Sequence, residues 1–253
     1  MPFNATSCSA GVATSPREAA KDVAVTAAPD PLSIRRLYGR AQGHPLRANA
    51  QRLVDELLPR LAVPKEGALS AATLFGDERP LAFEVGFGKG EHLAFQAALR
   101  PEWGFIGAEP YLNGVAGLLA EVDERDLSNV RVHRGDAIDV LERLPDASLS
   151  ALYLLHPDPW PKARHAKRRF VNAGPLKLVA AKLKPGGEFR IATDHVGYMR
   201  HALAVMQNQP DFEWTAETPD DWERIPPDWP DTRFAEKARA LGHSVWRLIY
   251  RRA

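Results

Sequence analysis

The stretch Glu84-Val85-Gly86-Phe87-Gly88-Lys89-Gly90 decides the fold class of this chain. It follows an apolar run, 80–85, and precedes an amphipathic run, 91–99, which indicates a strand, a glycine turn and a helix. Glycine at every second position permits positive φ angles and lets a ligand approach the backbone closely. The turn also directs the N–H groups of the next helix towards that ligand. It therefore predicts a nucleoside-binding turn, and the alternative is a tight turn that binds nothing.

The spacing of these glycines distinguishes between cofactors. A dinucleotide fingerprint has glycine at its first, third and sixth places, whereas the sixth place here is Glu91 and the glycines are Gly86, Gly88 and Gly90. The pattern E-x-G-x-G-x-G resembles motif I of S-adenosylmethionine-dependent methyltransferases. This resemblance implies S-adenosyl-L-methionine as the cofactor, with the three glycines at its site.

Composition narrows the class of protein further. The 253 residues are 45% hydrophobic and 26% charged, with a net charge of +1, so any nucleic-acid surface must be local. The only cysteine, Cys8, excludes an intramolecular disulfide. The eight histidines show no ligand spacing, no apolar run suits a membrane helix, and the N-terminus lacks a secretory signal pattern. We therefore expect a cytoplasmic protein that binds neither metal nor membrane. The sequence does not fix its oligomeric state, and a monomer is compatible with it.

The chain outside the glycine turn divides into a tail and one domain. Residues 1–31 are rich in Ala, Ser, Thr and Pro without periodicity, which predicts a disordered tail. Residues 32–253 are predicted to form the methyltransferase domain, beginning with a basic arm and a helix over 32–62. The arm, 33–47, contains no acidic residue, so it is either a phosphate-contacting segment or a solvated loop. Apolar residues at helical spacing place the helix at 46–61.

Strands and helices alternate from residue 80 onwards. Strands are predicted at 81–86, 104–109, 129–134, 149–155, 187–193, 212–217 and 244–251. Helices are predicted at 90–99, 111–125, 137–143, 168–184 and 196–208. The alternation predicts an α/β fold with a doubly wound, mostly parallel sheet. The class I methyltransferase resemblance implies a Rossmann-like, seven-stranded sheet with one antiparallel strand near the C-terminus.

Acidic residues stand where the first three predicted strands end. Glu109 ends the second strand and can accept both ribose hydroxyls. Asp136 follows the third and either bonds an adenine amino group or caps the next helix. Together with Glu84 they form an anionic crevice that suits sulfonium and ammonium charges and would repel a pyrophosphate.

The fourth strand leads into His156-Pro157-Asp158-Pro159-Trp160-Pro161-Lys162. Two prolines hold Asp158 on a stiff loop, and an acid beside Trp160 is what a base pocket requires. Five of the eight positions 162–169 are Lys or Arg. This run is either a solvated helix face or, beside an active loop, a contact for a polyanionic substrate.

These motifs together resemble the bacterial tRNA (guanine-N7)-methyltransferase family. The resemblance spans about 33–252 and is carried by EVGFGKGE, GAEP, PDPWPK-x-RH-x-KRR, ATDH, Thr232-Arg233-Phe234 and Leu241-Gly242-His243. The resemblance implies cofactor contacts at Glu84, Glu109, Asp136 and Asp158, substrate contacts at Lys162, Asp194, Thr232, Arg233, Phe234 and Ala235, and RNA contacts at Arg164, His165, Lys167, Arg168 and Arg169.

Two positions depart from the family pattern. The family usually has an aromatic residue where this chain has His156. Its C-terminal loop normally reads T-x-F-E, whereas Phe234 here precedes Ala235 and then Glu236. Either Glu236 replaces the expected acid after a local shift, or that carboxylate contact is absent.

The implied reaction is methyl transfer to N7 of a tRNA guanosine, which the resemblance places in the variable loop. Asp158 is expected to orient the base through its N1–H and amino group, and the competing hypothesis makes Asp158 a general base. The alternatives are a methyltransferase of another RNA, a protein or a small amine, and an RNA-binding module without catalysis. Glu91 at the sixth place disfavours a nicotinamide dehydrogenase.

Overall fold

The computed structural model describes residues 43–230 and 232–253, which belong to one compact unit. The predicted tail and most of the predicted basic arm lie outside these residues. No helix within 43–230 or 232–253 is both long and apolar enough to cross a membrane. The same residues include no group of three His, Cys, Asp or Glu side chains that could hold a metal ion.

A seven-stranded sheet forms the centre of the described chain. Its strands are β1 Leu81–Val85, β2 Gly104–Ala108, β3 Val130–His133, β4 Leu149–Leu155, β5 Leu183–Thr193, β6 Phe212–Trp214 and β7 Trp246–Arg252. The spatial order is β3-β2-β1-β4-β5-β7-β6, with β1 to β5 parallel and β7 antiparallel to both of its neighbours. The prediction of a Rossmann-like sheet with one antiparallel strand near the C-terminus is confirmed.

Helices connect most of the strands. They are α1 Ala48–Glu56, α2 Leu58–Leu61, α3 Ala71–Phe75, α4 Glu91–Leu99, α5 Leu112–Glu124, α6 Ala137–Leu141, α7 Ala173–Lys182, α8 Val196–Met206, α9 Asp220–Glu223, α10 Arg233–Ala240 and a 3₁₀ helix, Ala163–Arg168. Every residue of β2 is buried, so the sheet is covered on both faces at this strand.

Two helix predictions need correction. The single helix expected at 46–61 is divided at Leu57, because Pro59 has no N–H to donate and its ring disfavours a continuous helix. The helix expected at 168–184 begins only at Ala173. The side-chain amide of Asn172 donates to the carbonyls of Ala166 and Arg169, which closes the 3₁₀ helix before α7 starts.

The strand order reverses between β1 and β4. The chain runs outward from β1 to β2 and β3, then returns to place β4 on the other side of β1. In doubly wound sheets, ligands bind beyond the carboxyl ends of the strands at such a point. The loops after β1 and β4 are therefore the place to look for a site.

Candidate active site

A cleft of about 740 Å³ lies beyond the carboxyl ends of β1, β2 and β4. Its volume is in the range of small-molecule and cofactor pockets. The glycine turn after β1 and Glu109 after β2 line it together with the Asp158 loop and the start of α10. The cleft thus brings together the main motifs of the sequence.

The glycine turn owes its shape to left-handed backbone. Gly86 and Gly88 have φ angles of 65° and 58°, and both line the cleft. Their N–H groups donate within the protein, to the Ala108 carbonyl and to Glu109 respectively. Gly90 lies outside the cleft lining, and a Cβ there would lie 2.5 Å from Leu118. The first two glycines therefore shape the ligand wall, whereas Gly90 allows α4 to pack on α5.

Glu109 is held by two backbone groups. Its Oε2 accepts the Gly88 N–H and its Oε1 accepts the Tyr111 N–H, each at 2.9 Å. Burial raises the pKa of Glu109, although these two N–H groups act in the opposite direction. Each oxygen keeps a second lone pair, so the carboxylate can accept a pair of ligand hydroxyls.

The raised pKa predicts that cofactor affinity depends on pH. Glu109 takes up a proton at a higher pH than an ordinary glutamate, whose pKa is 4.5. A neutral carboxyl group accepts hydrogen bonds from hydroxyl groups less strongly than a carboxylate does. Affinity should therefore fall as the pH drops from neutral through this pKa. Glu109→Gln should bind the cofactor about 10–100-fold more weakly at neutral pH and lose less affinity on acidification. Calorimetric titrations of both proteins over the same pH range measure this, and parallel profiles would contradict it.

Asp136 caps a helix. Its side chain accepts the Ile138 N–H at 3.0 Å at the start of α6, and it does not line the cleft. Of the two roles expected for Asp136, this contact corresponds to capping of the next helix. The contact with an adenine amino group stays a prediction.

Asp158 is exposed on a strained loop at the cleft. His156 and Trp160, on either side of it, have φ angles of 48° and 41°, which non-glycine residues rarely adopt. Arg169 supports the loop by donating to the carbonyls of Pro159 and Trp160, each at 3.0 Å. The loop is thus fixed by a side chain of the basic run itself.

The rest of the basic run lies mainly on the 3₁₀ helix that follows this loop. Arg164 and Lys167 are exposed on the 3₁₀ helix, and His165 is partly buried. Arg168 lines the cleft, with its guanidinium 5.0 Å from the centre of the Trp160 ring. The predicted RNA-contact segment therefore combines exposed cations with Arg169, which is engaged within the protein.

The start of α10 closes one side of the cleft. Thr232 caps the helix by accepting the Ala235 N–H at 3.3 Å, and Glu91 accepts the Arg233 N–H at 2.8 Å. The Phe234 ring stacks on His156, with centroids 5.5 Å apart and planes at 17°. Burial lowers the pKa of His156, which favours a neutral ring in this stack. An imidazole thus provides the flat surface that the family pattern assigns to an aromatic residue.

The remaining predicted substrate residues lie outside the cleft lining. The Asp194 Oδ1 is 3.4 Å from the His156 Nδ1, and its Oδ2 is 3.9 Å from the His243 Nδ1. Lys162 is exposed to solvent. Ala235 lies on the buried face of α10. Glu236 lies instead in a neighbouring groove with Phe95 and Arg125, and not in the main cleft. This placement favours the second alternative, that the carboxylate contact is absent.

Sequence reasoning missed several residues that build the site, among them Glu91, His92 and Gly114. Glu91 fixes α10, as described above. A Cβ on Gly114 would overlap the carbonyl oxygen of Gly88, so this glycine lets α5 approach the glycine turn. A signal was present, because Gly114 and Gly117 stand three residues apart within a predicted helix, where glycine is costly without a packing reason.

The chain is similar in sequence to known methyltransferases. The protein family described as "Putative methyltransferase" matches residues 78–248. The chain is 60% identical over 223 residues to a protein of Zymomonas mobilis named tRNA (guanine-N(7)-)-methyltransferase, covering 88% of this chain and 96% of the relative. Proteins of the same name from Novosphingobium aromaticivorans and Rhodospirillum rubrum are 58% and 45% identical, covering 88% and 86% of this chain and 97% and 88% of the relatives.

Proposed function

Because this chain belongs to the tRNA (guanine-N7)-methyltransferase family, we infer that it transfers a methyl group from S-adenosyl-L-methionine to N7 of a guanosine in tRNA. The observation that carries this inference is a single cleft that joins the glycine turn, Glu109 and the Asp158 loop at the sheet's switch point. The finer assignment, to the variable loop of tRNA in the cytoplasm, is part of the proposal.

The cleft fits the proposed cofactor. S-adenosylmethionine, when bound, supplies a methyl group activated by a sulfonium charge. Four acids, Glu84, Glu91, Glu109 and Asp158, line the cleft beside four cations, Lys89, Arg168, Arg233 and Lys237. The lining is therefore not anionic as a whole, but it offers carboxylates that can accept the cationic groups of the ligand. Glu109, held by two backbone N–H groups, would accept the ribose hydroxyls.

The chemistry asks little of the protein beyond alignment. N7 of guanine has an in-plane lone pair, so no proton has to leave before it attacks. Good alignment of reacting groups can supply up to roughly 7–11 kcal/mol. Asp158, exposed at the cleft on its proline-bounded loop, would accept from the guanine N1–H and amino group and orient the base. Lys162 and Asp194 would hold the nucleotide or its phosphate from outside the cleft lining.

Labelled S-adenosylmethionine tests the function. The purified protein is incubated with methyl-labelled cofactor and a tRNA transcript, beside a transcript whose variable-loop guanosine is adenosine. Label in the first transcript alone is the expected result. Label in both would move the target nucleotide elsewhere, and label in neither, with cofactor still bound, would favour the RNA-binding module.

Two arginines of the basic run should behave differently when replaced. Arg164→Gln removes an exposed cation, so the plot of log tRNA affinity against log salt concentration should become less steep by about 0.7–0.9. In steady-state kinetics the substitution should raise KM for tRNA and leave kcat unchanged. Arg169→Gln removes the donors to the Pro159 and Trp160 carbonyls. Misplacement of Asp158 should then lower kcat by about tenfold or more.

Filter binding at several salt concentrations and single-turnover kinetics separate these effects. Lys184→Gln is the matched control, because Lys184 is exposed at the opposite end of β5 from the cleft. The assignment fails if Arg169→Gln changes only the salt slope, or if Lys184→Gln changes it as much as Arg164→Gln.

A further inference from the structure

A buried histidine lies directly behind the acid at the end of β1. His92 and Glu84 have side chains only 2% and 3% exposed, and the His92 Nδ1 is 2.7 Å from the Glu84 Oε2. Both residues line the cleft. The His92 ring packs against the rings of Tyr153 and Trp229, with centroids at 4.6 Å and 5.5 Å, which fixes its orientation.

The neighbouring amide of Gln96 can be oriented from its partners. Its Oε1 faces the guanidinium of Arg100, which can only donate. Its Nε2 faces the backbone carbonyl of Asp228, which can only accept. Both contacts require the same amide orientation, so the NH₂ group points towards Asp228 and His92.

This orientation determines the tautomer of His92. The Gln96 Nε2 is 3.3 Å from the His92 Nε2, so the latter must accept a hydrogen bond. The proton of a neutral ring is then on Nδ1, where it donates to Glu84. An imidazolium would instead direct a second N–H at the Gln96 amide.

The far end of this chain of hydrogen bonds is firmly held. The Asp228 carboxylate pairs with Arg100 at 2.7 Å and with Arg190 at 2.8 Å. Asp228 belongs to a Pro- and Asp-rich segment, 209–230, in which Trp229 is also buried against the His92 ring. That segment therefore supports the floor of the cleft through a hydrogen-bonded path.

We propose that His92 is a positioning residue for the cofactor, because its neutral Nδ1–H fixes the Glu84 carboxylate as an acceptor facing the cleft. His92 occupies Oε2, and Oε1 is available to a cationic group of S-adenosylmethionine. The assignment rests on the proposed function for the identity of the ligand. It gives the segment 209–230 a role in cofactor binding.

Two substitutions at His92 test the proposal. Asparagine places an N–H close to the position of the histidine Nδ1, whereas leucine fills the space without a donor. His92→Leu should weaken binding of S-adenosylmethionine about 10–100-fold, whereas His92→Asn should stay within roughly threefold of the unsubstituted protein. Calorimetry without tRNA measures both affinities, and thermal unfolding without ligand checks that the two variants are equally stable. Equal affinity in all three proteins would overturn the proposal.

The tautomer itself can be measured in the unsubstituted protein. Proton–nitrogen spectra of ¹⁵N-histidine-labelled protein, with His92 assigned through its contacts to Tyr153 and Trp229, should show a protonated Nδ1 and a bare Nε2. A ring protonated on Nε2 alone would overturn the proposal even if neither variant folds. Failure of the unsubstituted protein to bind S-adenosylmethionine would instead refute the proposed function, so the two failures are distinguishable.

Discussion

Asp158→Asn is expected to lower the single-turnover rate of tRNA methylation about 10²–10³-fold. The substitution keeps the size of the side chain but replaces one acceptor oxygen with an NH₂ donor. That donor would face the guanine N1–H and amino group, which are donors themselves. Because Arg169 fixes the loop through the Pro159 and Trp160 carbonyls, the loop cannot easily move the new group away. The rate should therefore fall much more than the affinity for S-adenosylmethionine.

A change in the substrate can show whether Asp158 contacts the base. Inosine lacks the 2-amino group of guanosine but keeps N1–H and N7. With inosine at the target position, the unsubstituted protein should slow by about tenfold, whereas Asp158→Asn should slow little further, because the contact is already lost. If the rate reductions caused by Asp158→Asn and by inosine multiplied instead, Asp158 would not accept a hydrogen bond from the amino group.

The pH dependence separates orientation from base catalysis. An orienting carboxylate predicts a rate that is constant across the neutral range, since N7 has no proton to lose. A general base would add an inflection there. Measuring single-turnover rates avoids the pH dependence of tRNA release.

The sheet could be predicted from sequence because its signals are local. The apolar run at 149–155 and the glycine turn after β1 fixed the class and order of the elements, and the strand bounds agree within a few residues. Helix α10 was not predicted, because it is stabilised by a distant partner. The Glu91 carboxylate that accepts the Arg233 N–H is 142 positions away in the chain.

The site was predictable where a residue follows a strand, and not where a second element supplies the contact. Glu84, Glu109 and Asp158 could be placed because parallel strands end at one edge. The role of Arg169 could not, since a charge pattern does not distinguish a guanidinium that faces solvent from one that bonds the carbonyls of its own loop. The same applies to His92, whose partner Glu84 lies eight residues earlier, on the other side of the glycine turn.

Gly114→Ala is expected to weaken S-adenosylmethionine binding by about tenfold or more. Alanine normally stabilises a helix by about 1 kcal/mol relative to glycine. Here its Cβ would overlap the Gly88 carbonyl oxygen, which belongs to the backbone of the cofactor wall. Relief requires α5 or the glycine turn to shift, and overpacking of this kind costs about 1–3 kcal/mol. The free energy of unfolding should therefore decrease despite the gain in helix propensity.

Gly117→Ala provides a graded comparison on the same face of α5. Its Cβ would lie 3.1 Å from the Lys89 carbonyl oxygen, a contact that a shift of a few tenths of an ångström relieves. Calorimetry and thermal unfolding should therefore show a smaller loss of affinity and of stability for Gly117→Ala than for Gly114→Ala. The reverse order, or unchanged binding in Gly114→Ala, would mean that the glycine turn yields to α5 without cost. The close approach at Gly114 would then not be what sets the shape of the cofactor wall.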